Sequence, residues 1–263
     1  MIKAMRTAAS GMSGQQMNID NIANNLANVN TTGFKKSKLE FQDVLYQNYR
    51  KAGTSSAVGA TIPANLAVGY GTKPVATTRE FSVGDFMQTG NPMDLAISGN
   101  GFFQIQMPDG NTAFTRDGTF KISAEGEVVN SDGFMMLPEV SIPEDATSIS
   151  VSIDGEISVL IAGTPEPQVV GNIEAARFVN PAGLSAVGHN LYVQTGASGE
   201  PILGTPTQDG IGKIEQGYLE MSNVAIVDEM VNMIVAQRAY EINSKVIQTS
   251  DDMSQIANNL KRG

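Results

Sequence analysis

The chain has 263 residues, of which 41% are hydrophobic and 17% charged, with a net charge of −10 and no cysteine. That length allows one large domain or two smaller ones. The missing cysteine excludes disulfides, thiolate metal sites and a cysteine nucleophile, and an acidic chain without a basic cluster excludes recognition of a phosphate backbone, and so nucleic acid as a partner.

Met5, Met12, Ile19 and Leu26 recur every seven residues, and Met1, Ala8, Gln15, Ile22 and Val29 occupy the position three later. This spacing predicts an N-terminal helix with a coiled-coil seam roughly 40 Å long at 1.5 Å per residue. Asn18 and Asn25 lie on one flank, Asn21 and Asn28 on another, and only Lys3, Arg6 and Asp20 are charged before Lys35. A helix so poor in charge is covered by neighbours rather than bathed in water. Gly11 and Gly14 each cost on the order of 1 kcal/mol relative to Ala, so the helix is marginal alone and expects packing from repeated subunits, whose backbone its amides would meet. Gly33 reads as a left-handed stop in a Schellman arrangement, with Phe34 packed back on Val29 and Lys35 and Lys36 at the negative end of the helix dipole.

Residues 46–74, YQNYRKAGTSSAVGATIPANLAVGYGTKP, show neither helical nor strand period and read as a linker or extended arm. From 75 to 217 the pattern is that of an all-β domain. Phe103, Ile105 and Met107 alternate with Gln104 and Gln106, SISVSIDGEISVLI alternates through a turn, and five Asp-Gly pairs, at 109, 117, 132, 154 and 209, mark further turns.

Near the C-terminus Ser222 or Asn223 is placed to cap a second helix, Met221 to staple to Ile226, and Asp228 and Glu229 to face its positive end. Val235, Ile242, Thr249 and Ile256 then recur every seven residues, with Ala239, Val246, Met253 and Leu260 four later, giving a second seam of roughly 55 Å. The pentapeptide IANNL occurs in both end segments, at 22–26 and 256–260. The expected fold is mixed: α terminal helices forming a coiled-coil-like pair, plus an inserted all-β domain joined by an extended arm. Its boundaries are 1–35 with 222–263 for the helical domain, 36–74 for the arm and 75–221 for the β domain. An intramolecular helix hairpin covering the β domain is the alternative use of the two seams.

Net charge is +3 over residues 1–50, −10 over 51–214 and −3 over 215–263, so the two ends are complementary in sign. Catalytic readings find little support. His189 is the sole histidine, which rules out paired-histidine metal binding, and it reads as a loop residue opening a strand. The acidic residues of the middle sit in Asp-Gly turns or on strand faces rather than in an obvious glycosidase pair. GYGTKP at 69–74 and SGNGFF at 98–103 lack the third glycine and following helix of a dinucleotide loop. We therefore expect no catalytic, cofactor-binding or metal-binding residues.

IANNLANVNTTGFKK at 22–36, NMIVAQRAYEINSKVIQTSDDM at 232–253, DLAISGNGFFQI at 94–105 and FTRDGTFKISAEGEVV at 114–129 together resemble the bacterial flagellar rod and hook proteins. YQNYRKAG and VGYGTKPVATTREF are similar to the arm of the distal-rod branch of that family. The resemblance implies a structural protein, exported by the flagellar type III apparatus without a cleaved signal peptide, that polymerises helically and transmits torque. Its implied partners are copies of itself, the proximal rod proteins, the hook protein and the L and P ring proteins, in a basal body spanning periplasm to outer membrane; no small-molecule substrate is implied. The assembly interface expected from the seams and the helix end comprises Met5, Met12, Ile19, Ile22, Asn25, Leu26, Asn28, Val29, Gly33 and Phe34 at one end. At the other it comprises Val235, Ala239, Ile242, Val246, Met253, Ile256 and Leu260. The arm would brace neighbouring subunits, and residues 1–33 and 224–263 would be mobile before assembly. A proximal rod or hook protein of the same family is the alternative, and a cell-wall glycan hydrolase the alternative of a different class.

Overall fold

The N-terminal seven-residue repeat forms α1 (Ile2–Ala27) in the computed structural model, which describes residues 2–53, 55–57, 60–61, 63–162 and 166–260. Met1, assigned to the seam, lies outside them. The helix stops short of Val29 because the chain enters consecutive turns, with Thr31 N donating to Asn28 O at 3.2 Å and Phe34 N to Thr31 O at 3.3 Å. Gly33 is left-handed (φ 67°), as expected. Its N–H, however, donates to the carbonyl of Glu220 at 2.8 Å rather than back to the helix, so the expected Schellman closure is replaced by a tie to a segment far along the chain. A Cβ here would lie 2.5 Å from the backbone nitrogen of Asp117, which together with the positive φ requires glycine.

The chain divides into two units: residues 1–26, 37–78 and 225–263, and residues 27–36 and 79–224. In the first, the segment read as a linker or extended arm pairs with itself. β1 (Ser37–Asp43) pairs with β6 (Thr72–Arg79), β2 (Tyr46–Arg50) with β5 (Leu66–Gly69), and β3 (Ser55–Ala57) with β4 (Ala60–Thr61), a nested hairpin. Val44 N to Gly71 O (2.9 Å) and Tyr70 N to Leu45 O (3.2 Å) carry the pairing across the break between its first two ladders. The ladder rests on main-chain bonds, and since most of β2 and β5 is exposed, no inward-facing row imposes alternation on the sequence.

α2 (Ile226–Leu260) begins with Asp228 and Glu229 in its first turn, as expected for the dipole. The expected cap by Asn223 is not made. Its amide instead donates to Glu80 O (2.8 Å) and accepts from Lys36 N (2.7 Å) in the second unit. Lys35 and Lys36 likewise do not serve the α1 dipole: Lys36 pairs with Glu80 at 3.0 Å and Lys35 is fully buried.

The second unit is β-structure. Its strands are β7 (Phe86–Gln88), β8 (Leu95–Ser98), β9 (Phe102–Gln106), β10 (Thr112–Thr115), β11 (Lys121–Ile122), β12 (Val128–Val129) and β13 (Met136–Leu137). There follow β14 (Ala146–Val151), β15 (Glu156–Ile161), β16 (Gln168–Asn172), β17 (Ala175–Arg177), β18 (Ser185–Gly188), β19 (Leu191–Val193), β20 (Ile202–Gly204), β21 (Lys213–Gln216) and β22 (Tyr218–Glu220). A seven-stranded sheet runs β18-β19-β10-β9-β17-β20 with β13 also on β9; β14-β15-β16 form a second sheet, and β7 pairs β22 while β8 pairs β21. The one-sided alternation expected of residues 103–107 does not hold, because β9 is central and covered on both faces. Phe103 and Ile105 enter the main core, where Phe103 meets Phe120 edge-on at 5.1 Å, and Phe102 enters a second aromatic cluster with Phe114, Phe178 and Tyr192. Full burial of each such side chain is worth about 1.5–3 kcal/mol. Four of the five Asp-Gly pairs turn through a left-handed glycine; Gly118 instead lets the backbone approach Leu95 O, where a Cβ would sit at 1.6 Å. His189 and Asn190 (φ 52° and 57°) are the two turn residues between β18 and β19, a type I′ hairpin, and the His189 ring is exposed.

Candidate assembly interface

α1 and α2 run antiparallel within the first unit and touch through small and polar residues. Asn25 Nδ2 donates to Glu229 Oε2 at 3.3 Å at one end. Further along, a Cβ on Gly11 would stand 3.0 Å from Asn243 Nδ2 and one on Gly14 2.9 Å from the Phe41 ring, so both glycines are explained by close approach. On α2 the buried residues are Glu229, Ala236 and Ser250, spaced by seven and fourteen. This is not the seam read from the sequence. The apolar repeat lies on another face: Val235 (62% exposed), Ile242 (61%), Val246, Met253, Ile256 and Leu260 all stand in solvent, with Thr249 exposed and Ala239 half-buried. The apolar ridge of α2 therefore lies off the face that the chain itself buries.

On α1 the expected interface splits in two. Ile22 and Asn25 are buried within the chain, and Gly33 and Phe34 are buried in the second unit, so these four have little surface left for a sister molecule. Met5, Met12, Ile19, Leu26, Asn28 and Val29 are half-buried. The amides expected to await a neighbouring subunit find their partners inside the chain. Asn21 and Asn25, four apart on one helix face, both donate to Ser37 O at 2.8 Å; Asn25 Oδ1 accepts from Ser37 N at 3.0 Å and Asn21 Oδ1 from Ser37 Oγ at 2.5 Å. Lys3 Nζ donates to Tyr49 Oη (2.6 Å) and to Gln47 Oε1, and Thr72 N donates to Ser10 Oγ (3.4 Å), so the hairpin is tied along α1 at several points. Its outward side chains include the exposed Leu45, Tyr46, Tyr49, Leu66 and Val75.

In the second unit three buried charges fix the segments that lead toward the helices. Glu220 Oε1 accepts from Lys35 Nζ at 2.5 Å and from Gly84 N at 3.0 Å, and Glu220 Oε2 faces Arg116 Nε at 3.0 Å without the alignment of a hydrogen bond. Lys35 also donates to Ser82 O at 2.6 Å. Burial pushes the Lys35 ammonium below the ordinary lysine value; attraction to Glu220 opposes this and repulsion from Arg116 adds to it. Burial likewise lowers Arg116, against the pull of Glu220. Asn223 N donates to Phe34 O at 3.4 Å beside this group, so the two chain passages, 31–36 and 220–224, are held together. Sequence reasoning missed the triad, since a lysine after a helix reads as a dipole partner and nothing local marks it as buried.

Three family models match the chain. Residues 5–35 match one described as "Flagella basal body rod protein", residues 96–159 "Flagellar hook protein FlgE/F/G D1 domain", and residues 215–260 "Flagellar basal body rod FlgEFG protein C-terminal". Each holds one member of the buried triad: Lys35, Arg116 and Glu220 in that order. Among similar proteins, the "Flagellar basal-body rod protein FlgG" of Borreliella burgdorferi is 54% identical over 264 residues, covering all of both chains. The proteins of the same description from Caulobacter vibrioides and Bacillus subtilis are 46% identical (99% of this chain, all of that one) and 40% identical (all of both).

Proposed function

Because the chain belongs to the flagellar basal-body rod proteins, we propose that it is a structural subunit of the distal rod, polymerising helically to carry torque from motor to hook through packed contacts and no chemical step. Full-length similarity to rod proteins, across arm and helices as well as the β region shared with hook proteins, favours the rod over the hook.

The observation that carries this reading is the outward ridge of α2. A helix of 35 residues whose apolar repeat, Val235 to Leu260, stands in solvent for about 38 Å requires cover, and its own partner helix is already engaged on a neighbouring face. Head-to-tail contacts between copies that do not close give a filament. Ridge residues Val235, Ile242, Val246, Met253, Ile256 and Leu260, together with the half-buried Met5, Met12, Ile19, Leu26, Asn28, Val29 and Ala239, form that contact. Short of it, the helices are under-packed, so the amides of Ile2–Ala27 and Ile226–Leu260 exchange rapidly in dilute monomer and slowly in the polymer.

Partners at the rod ends are the proximal rod proteins and the hook protein, with the L and P ring proteins outside. Delivery is by the type III export apparatus into a basal body that crosses the periplasm to the outer membrane. The hairpin at 37–79 braces adjacent subunits with its exposed Tyr, Leu and Val side chains. Electron microscopy of concentrated protein tests the proposal: straight rods from the intact chain and none after truncation at residue 225 support it, and equal association of both contradicts it.

A further inference from the structure

A cavity of about 260 Å³ opens on the second unit, lined by the rings of Phe81, Phe102 and Phe178, by Val179 and by two guanidinium groups, Arg116 and Arg177. The two cations differ in what holds them. Arg116 is committed: Nη1 donates to Gly101 O and Nη2 to Gly99 O, each at 2.8 Å, and Nε faces Glu220. The side chain of Arg177, the last residue of β17, has no hydrogen-bond or ion-pair partner among the described residues, and its Nε is buried from solvent. A buried N–H without an acceptor is rare, because the group forfeits its bonds to water and receives nothing in exchange. Arg177 also lines the open cavity, so an acceptor has room to approach its guanidinium from outside the chain.

We propose that this cavity receives a carboxylate on an apolar stem, an Asp or Glu side chain of a second copy of this chain; this rests on the polymer reading above. A guanidinium offers a planar fork that matches a carboxylate, the three phenyl rings take up the methylene stem, and Arg116 behind them adds a fixed positive field. Charge argues for a sister molecule as the source. Residues 27–36 and 79–224 carry seven Lys or Arg and nineteen Asp or Glu, a net −12, so apposed copies of this unit repel unless a cation on one is shared with an acid on the other. The rim has the surface of a contact as well: Val179 is 82% exposed, and Ile202, paired with Arg177 across the β17–β20 ladder, is exposed on the edge strand with Leu203.

The test uses the full chain and 3-phenylpropionate as the probe. At concentrations where the protein is monomeric, the Arg177 Nε–H resonance shifts saturably with millimolar probe, and Arg177→Gln weakens binding at least tenfold. Arg177→Gln and Val179→Asp, which both leave the unfolding midpoint unchanged, raise the critical concentration for polymerisation at least threefold, and the probe raises it for the original chain but not for Arg177→Gln. Absence of saturable binding together with unchanged critical concentrations overturns the proposal. Binding of the probe with no effect on assembly assigns the cavity to free carboxylates and overturns the sister-chain occupant. Failure of the original chain to polymerise at all overturns the rod reading and that occupant with it, while the titration alone still decides whether the carboxylate site exists.

Discussion

Val235 and Ala236 are consecutive on α2 and face opposite environments, the first 62% exposed and the second 2%. Substitutions at the two should therefore separate association from folding. Val235→Asn is expected to leave monomer stability within about 0.5 kcal/mol while weakening association several-fold. Ala236→Leu overfills a buried position and is expected to cost about 1–3 kcal/mol in the monomer. Urea unfolding at low concentration and sedimentation at high concentration measure the two effects independently.

Glu220 is the sole anion between two buried cations. Glu220→Gln leaves Lys35 and Arg116 uncompensated and is expected to cost about 3–5 kcal/mol. Lys35→Met should cost less, since Arg116 continues to neutralise Glu220. Denaturant titration followed through the aromatic cluster of the second unit orders the two variants; the reverse order would place the stabilising contact elsewhere.

The lowered Lys35 value has a pH signature. Unfolded, this lysine titrates near about 10.4, whereas folded it releases its proton earlier, so between the two values the unfolded chain binds more protons and stability rises with pH. The contribution is complete above the unfolded value and is lost as pH falls through the folded one. As pH rises toward about 10, the stability of the original chain should therefore climb relative to Lys35→Met, with Tyr192 and other groups common to both cancelling. Parallel curves would show that Lys35 titrates normally.

Removal of residues 50–65 shortens the hairpin while sparing β1, β2 up to Tyr49, β5 and β6. If the hairpin braces neighbours, polymers of this variant should be more curved or less limited in length than those of the intact chain, as seen by electron microscopy. Straight rods of unchanged length would remove the bracing role.

Both terminal helices were legible from sevenfold spacing, and the all-β middle from alternation and Asp-Gly turns. What periodicity could not reveal was which face meets what. IANNL illustrates this: in its first copy Ile22 and Asn25 are buried against the hairpin and α2, whereas in its second Ile256 and Leu260 are exposed. Identical residues on a helix carry the same pattern, and their burial depends on partners far along the chain. The hairpin was hidden for a related reason, since a ladder of main-chain bonds with two solvated faces leaves no alternation to read. The buried triad joins residues 35, 116 and 220, and a charge neutralised at such separation looks like any surface charge in one dimension.

Because the chain has no cysteine, a single introduced thiol reports directly on whether the α2 ridge is covered in the polymer. A single thiol introduced as Ile242→Cys on the outward ridge should react with a water-soluble thiol reagent at the rate of a free cysteine in dilute monomer and at least tenfold more slowly in the assembled polymer. Equal reactivity in both would mean that sister molecules leave the ridge wet, and the rod contact would then have to lie on another surface.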